Sequence, residues 1–382
     1  MKNPVALLGG LIILLALLIG DAVVYNPNRI MKGSSFSFFQ FMQSEFAGFA
    51  IALLIGLSVM ILIAALWLGK AGWSKDTIGS LSLILTFFLL LFSATAIDQP
   101  ALTTFEFGRI SLGSGFWLLL TGIITTAWGT QNRRRIYIIG IVAIFAAFVI
   151  SGQLNELSIL KEYFSRSITF AEQVQQHLAM SVLSVVTGIL IGVPLGVYVF
   201  KSGKPKRGLM FVINLGQTIP TLSLLGLLMV PLGVGMLPAF VVLTLYALFP
   251  IVHNTISGLT MVDKSLVEAA RGMGMTNTQV FWRVEVPTAL LIIFGGIRTA
   301  LTQSVGNTIL AGLIGGGGLG SLVFLGLAQA APDLILLGVI PIVMMAFLID
   351  VLAAGLIYIY KRIFSGRLLN FGQSLNGAVA ET

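Results

Sequence analysis

Few side chains in this sequence are suited to chemistry, and their spacing limits which kind. There are two histidines, His177 and His253, and no cysteine. No second ligand is spaced to complete a metal site, and thiol catalysis, disulfides and cysteine-based metal centres are excluded. The run GGGGLG, with Gly315, Gly316, Gly317, Gly318 and Gly320, contains the letters G-x-G-x-x-G. A dinucleotide site needs that pattern between a strand and a helix of a βαβ unit. Here an apolar helical stretch precedes it, so it reads as a flexible turn, placed near an outer gate. No G-x-x-x-x-G-K-[ST] occurs, so ATP is not expected to be hydrolysed by this chain.

What remains is electrostatic and hydrogen-bonding chemistry inside apolar runs. Arg298 lies eleven residues after Pro287, and Asp350 eleven before Lys361. Eleven helical residues span about 16 Å, so the two sit at similar depth and could pair. Intramembrane charges default to a functional reading, but a structural pair between neighbouring helices is the preferred one here. Gln217, Thr218 and Pro220 interrupt another apolar run, where a proline frees a carbonyl and kinks a helix. Gln217, with Gln303 and Asn307 one turn apart on a different run, would either face a polar pathway or hydrogen-bond between helices. Both readings stand at this point.

The elements that position these groups must be membrane helices. The chain has 382 residues, 57% hydrophobic and 9% charged, with a mean hydropathy of +1.00. Soluble domains are about 25% charged. Apolar segments at about 5–24, 47–69, 78–97, 111–129, 136–151, 178–200, 208–231, 236–251, 288–311 and 333–359 suit the roughly 20 residues of a span. The fold class expected is therefore an all-α polytopic membrane protein of about ten transmembrane helices. The first segment is expected to be a retained helix rather than a cleaved signal, since no small-x-small cleavage site follows it.

Basic residues then orient the spans. With the N-terminus in the cytoplasm, inside loops carry Lys2, Lys70, Lys75, Arg133, Arg134, Arg135, Lys201, Lys204, Lys206, Arg207, Lys264, Arg271, Arg283, Lys361, Arg362 and Arg367. Outside loops carry only Arg29, Lys32, Arg109, Lys161 and Arg166. The net charge of +8 is thus explained by topology, without nucleic acid. Both termini are expected in the cytoplasm. The domains expected are an N-terminal membrane region over 1–151, a polar outside connector over 152–177, a membrane domain over 178–365 with a cytoplasmic loop at 252–287, and a polar, frayed tail over 366–382.

That loop holds EAARGMGMTNTQVFWRVEVP, Glu268 to Pro287. Asp263 or Ser265 can cap a first short helix, with Ser265-x-x-Glu268 as a capping box, and Gly272 and Gly274 end it. Thr276-x-x-Gln279 opens a second, and Pro287 starts the next span. An interfacial amphipathic connector is the plain reading. The spacing resembles something more specific. Glu268-Ala269-Ala270, then Gly274, then Val284-x-Val286-Pro287 resembles the EAA loop of ABC-importer permeases, with Val284 and Val286 as conservative departures from Ile and Leu.

Leu215–Leu228, Leu237–Asp263 and Phe294–Gly320 resemble the permeases of osmoprotectant importers for glycine betaine, choline and carnitine. The resemblance runs over about 170–330. The five-helix N-terminal half resembles the long, Yeh-type form. The resemblance implies a type I (MetI-like) permease domain, whose Glu268, Ala269, Ala270 and Gly274, with the intervening Arg271 and Gly272, dock into an ATPase subunit. It also implies an ABC ATPase dimer, which holds the ATP and Mg; this chain would have no cofactor of its own. A periplasmic substrate-binding protein, and a second permease that is either a copy or a shorter paralogue, complete the expected partners. The expected place is the bacterial inner membrane. A permease for an amino acid or other small solute is the alternative. A secondary transporter is a further one, but it would call for inverted repeats, and no repeat is evident.

Overall fold

A computed structural model describes residues 3–27, 33–43, 45–67, 72–97, 108–130, 134–202, 208 and 218–380. Lys2, Arg29, Lys32, Lys70, Arg133, Lys204, Lys206, Arg207 and Gln217 lie outside the described residues. Among those described, six helices are long and apolar enough to cross a membrane, and four shorter apolar helices accompany them. Together they account for the ten apolar segments of the sequence. The chain divides into two compact units, Met1–Arg166 with Gln329–Asp333, and Ser167–Ala328 with Leu334–Thr382.

Unit 1 contains α1 (Pro4–Ile19), α2 (Glu45–Trp67), α3 (Gly72–Ile97), α4 (Ser114–Trp128), α5 (Arg134–Ile150) and the short α6 (Ser158–Ser165). Asn3 caps α1, accepting from the Ala6 N–H, and Pro4 follows at a position where its missing N–H is harmless. The Asn3 amide also donates to the Gly129 carbonyl, 2.9 Å away. Ile13, Phe38, Leu54, Leu85, Phe92, Phe116 and their neighbours form the core. A 3-10 turn, Phe38–Gln43, presents Phe38 and Phe41 to the ring of Phe92.

The helical fold also carries a small sheet that hydropathy does not reveal. Strands β1 (Asp21–Asn26), β2 (Ser34–Ser37) and β3 (Arg109–Leu112) pair antiparallel in the order β2-β1-β3. Val24 stands between Ser35 and Ser111. An open sheet edge does not survive in hydrocarbon, so these segments lie outside it. The Ile110–Leu157 bridge adds the start of α6. The loops after α1, α3 and α5 therefore share one side, as alternate spans require.

Beside β3 lies a buried charge cluster. Arg109 and Arg166 both donate to Glu162, the second at 3.1 Å. Ser111 donates to Asp333, which also bonds Ser158. The Glu162 side chain is 3% exposed, while Arg109 and Arg166 are 28% and 32% exposed, so removing Glu162 leaves two partly hydrated cations and costs less than the ~3–5 kcal/mol of a fully buried pair. Glu162→Ala is expected to lower the thermal midpoint of the detergent-purified protein by several degrees. Glu156→Ala, which breaks an exposed pair with Lys161, is expected to change it by little, since such pairs contribute about 0–1 kcal/mol. Equal shifts in the two variants would refute the assignment.

Unit 2 contains α7 (Ser167–Ser202), α8 (Thr221–Leu232), α9 (Met236–Thr260), α10 (Lys264–Gly272), α11 (Asn277–Val280), α12 (Val286–Asn307), α13 (Gly320–Ala328) and most of α14 (Pro332–Ala380). The last part of the connector expected over 152–177 is helical, because α7 begins at Ser167. The frayed tail expected beyond residue 366 is instead the continuation of α14 to Ala380. The first residues of the cytoplasmic loop expected over 252–287 are helical, because α9 runs on to Thr260.

Candidate functional site

The loop between α9 and α12 is built from local backbone chemistry. Asp263 caps α10, accepting from the Ser265 N–H at 2.9 Å. That bond holds its carboxyl below the usual carboxylate range. Ser265 is thus inside the helix, and the Ser265–Glu268 capping box expected from sequence is replaced by this simpler cap. At the other end Gly274 N–H donates to Arg271 O and Met275 N–H to Ala270 O. This is the Schellman pattern. It needs a left-handed residue just past the helix, and Gly274 has φ +82°. Thr276 and Gln279 form the reciprocal capping box of α11.

The exposed face of α10 then follows from helix geometry. Ala270 is buried, while Glu268, Ala269, Arg271, Gly272 and Gly274 are exposed. No atom stands within 4 Å of where a Cβ on Gly272 or Gly274 would be. Leu266, Met273 and Trp282 add exposed apolar surface. Pro287 stands in the first turn of α12, as expected, where its missing N–H costs little. A π-helical turn, Phe281–Glu285, runs without a break into α12, and helix continues from Asn277 to Ile314.

Below this loop, α7 meets α9 and α12 through two devices. Gly188, Gly192 and Gly196 recur at intervals of four; a Cβ on Gly196 would lie 2.7 Å from Thr255, and one on Gly192 3.0 Å from Ile251. Small residues at this spacing let membrane helices approach closely. Nearer the start of α7, His177 Nε2 bonds the Val305 carbonyl at 3.0 Å, Ser181 bonds Thr308 at 2.9 Å, and Ser184 bonds Ser304 at 2.9 Å. These polar groups are buried, and hydrogen bonds of this kind join membrane helices. His177 is inside α7 and buried, because α7 begins ten residues before it. His253 is likewise within α9, on an exposed position.

The remaining sequence candidates are dispersed. Pro220 is not a kink inside a helix but the cap residue ahead of α8. Thr218 precedes it. Gln303 is exposed and Asn307 half-buried, beside the buried Ser304 and Val305. Arg298 makes a two-pronged contact with Asp350, Nε–Oδ1 and Nη2–Oδ2 each 2.6 Å. Gly315, Gly317 and Gly318 have φ of +73°, +80° and +75°, so the GGGGLG run is a tight turn between a 3-10 segment, Thr308–Ile314, and α13. The backbone N–H of Gly318 donates to Gln176 on α7. The glycine repeat and the Ser and His positions of α7 escaped the sequence reading. A G-x-x-x-G-x-x-x-G pattern was the available signal for the first; single serines in an apolar helix give none.

The described residues thus form a multi-span helical chain with an exposed, doubly capped loop between two of the spans. Residues 186–379 match the family described as binding-protein-dependent transport system inner membrane component, and the chain belongs to that family. Residues 2–160 match the N-terminal domain of the ABC transporter permease YehY. The chain is 42% identical over 178 residues to the carnitine transport permease protein OpuCB of Listeria monocytogenes, covering 47% of this chain and 82% of that one. It is 40% identical over 179 residues to the glycine betaine/carnitine/choline transport system permease protein OpuCB of Bacillus subtilis, covering 47% and 82%. It is 40% identical over 190 residues to the osmoprotectant import permease protein OsmW of Salmonella typhimurium, covering 48% and 86%. It is therefore a multi-pass inner-membrane permease of an ABC importer family.

Proposed function

We propose that this permease translocates a quaternary-ammonium osmoprotectant such as glycine betaine, delivered by a periplasmic binding protein. The observation that carries the substrate class is the 38–42% identity of its permease half to proteins named for carnitine, choline and glycine betaine transport. The exposed face of α10, with Glu268, Ala269, Arg271, Gly272 and Gly274, is the docking element for an ABC ATPase, and Ala270 fixes that face by packing inward. The ATPase dimer holds the ATP and Mg. A second permease, a copy of this chain or a shorter paralogue, completes the pathway. Both termini lie in the cytoplasm, supported by the excess of Lys and Arg on one set of loops. Gln303 and Asn307 face the pathway, with Thr218 and Pro220 at its flexible margin and the Gly315–Gly320 turn near the outer gate.

The deciding measurement is uptake of radiolabelled glycine betaine, choline and carnitine, at low and high osmolarity, in cells that lack other transporters for them. Accumulation that depends on this chain is expected for at least one. If none of the three enters, while an amino acid competes or accumulates, the substrate class is wrong and the chain is a permease for a different small solute.

A further inference from the structure

The loop that carries the exposed face of α10 must pass any movement to the spans through whatever side chains it buries. Val280 and Phe281 are buried. Phe281 is the larger, at 4% exposure, in a cluster with Leu259 of α9 and Ala289 and Ile293 of α12. Val193, Val197 and Phe200 of α7 pack against the same cluster. One face of the Phe281 ring is covered by the Lys201 ammonium, 3.7 Å from the ring centroid. Lys201 stands in the last turn of α7, where a cation is favoured by the helix dipole. Phe281 also meets the exposed Trp282 in a T-shaped contact, ring centroids 5.0 Å apart.

The backbone at this point is also unusual. Phe281 opens the π-helical turn, and its carbonyl accepts from the Val286 N–H, five residues on. Such turns are uncommon, persist where packing holds them, and occur disproportionately at functional positions. A ring wedged among three helices, clamped on its face by a cation, supplies that holding force. The cation belongs to α7, the helix that the glycine repeat joins to α9 and the polar contacts join to α12.

We propose that Lys201 is a positioning residue for energy coupling. Through its cation–π contact with Phe281 it fixes the π-helical turn, and so ties the docking loop to α7. This rests on the reading of α10 as the ATPase-docking element. Loss of the ammonium leaves the docking face of α10 intact but lets the turn shift against α7. ATP hydrolysis then continues while fewer transport events follow from it. A lysine that merely reached for lipid phosphates, as long cationic side chains do at membrane edges, would give a different pattern, because it would not need the ring.

The test uses the assembled importer in proteoliposomes, reading glycine betaine taken up per ATP hydrolysed, together with ATPase co-purification. Lys201→Met is expected to retain the ATPase and lower the uptake-to-hydrolysis ratio about 2- to 30-fold, the range that a cation–π contact supports. Lys201→Arg, which keeps a cation over the ring, is expected to stay near the wild-type ratio. Phe281→Leu is expected to lower the ratio, and adding Lys201→Met to it to lower it no further. A wild-type ratio in Lys201→Met, or an equal fall in Lys201→Arg, overturns the proposal. So does a further fall in the double variant, which would mark lipid anchoring, or loss of the ATPase in Lys201→Met, which would mark direct docking. If Phe281→Leu does not fold, the two Lys201 variants decide the case. If the wild-type chain itself retains no ATPase, the docking reading fails instead.

Discussion

Gly274→Asp is expected to abolish ATPase co-purification and uptake while leaving the protein folded. Gly274 adopts φ +82°, and the space where its Cβ would stand is open. A non-glycine residue there costs about 1–2 kcal/mol of backbone strain, and Asp and Asn bear it more easily than most. The substitution therefore perturbs the surface more than the core. It places a carboxylate on the exposed surface just past α10, next to the face assigned to docking. Gly274→Asn carries the same backbone cost without the charge and separates the two effects. Co-purification with the ATPase, alongside size-exclusion behaviour of the permease, checks the result. A monodisperse Asp variant that binds and transports like wild type would remove α10 from the docking role.

Neutralising one partner of Arg298–Asp350 is expected to be the most damaging change within the spans. On the isolated chain the side chains are 39% and 37% exposed. The pair lies a dozen residues into α12, at the depth of a membrane span. A lone Arg or Asp at a helix centre costs about 2.5–3.5 kcal/mol on insertion scales, and the two-pronged geometry keeps both charges satisfied. Asp350→Asn strands the guanidinium and Arg298→Leu strands the carboxylate. Both are expected to lower the yield of folded protein and its thermal midpoint, and the exchange Arg298→Asp with Asp350→Arg to recover much of the loss. Uptake by the exchanged variant adds the functional readout. If it folds yet does not transport, the pair has a part in translocation beyond holding α12 to α14. If both single variants match wild type, the pair is dispensable.

The sequence made legible whatever is encoded in one contiguous stretch. The apolar runs coincide with the helices because each span is specified by its own twenty or so residues. The loop after α9 is legible for the same reason: Asp263, Gly274, Thr276 and Gln279 act on backbone groups a few residues away. Arg298 and Asp350 were findable because charge in an apolar run is expensive wherever its partner lies. The rest depends on partners far along the chain. Strands β1 to β3 are four to six residues long, too short for a periodic signal, and β3 pairs with a strand more than eighty residues earlier. Ser181, Ser184 and His177 look incidental until Ser304, Val305 and Thr308 are set beside them. Ala270 could be assigned to the motif from spacing, but only packing shows that it turns inward while its neighbours turn out.

Gln329–Asp333 belongs to unit 1 although the residues on either side of it belong to unit 2. Asp333 accepts from Ser111 and Ser158 there, and Ala330 holds a left-handed φ of +49°. The gene order therefore does not parcel this protein into two independent fragments. A polypeptide stopped at Arg166 would expose two serine hydroxyls that have lost their acceptor. A permease half grafted without residues 1–166 would begin its last helix on a carboxylate that has exchanged two serine hydroxyls for solvent. Dissection of the chain, or transfer of either half to a relative, keeps these two bonds only where Asp333 and its serines are moved together.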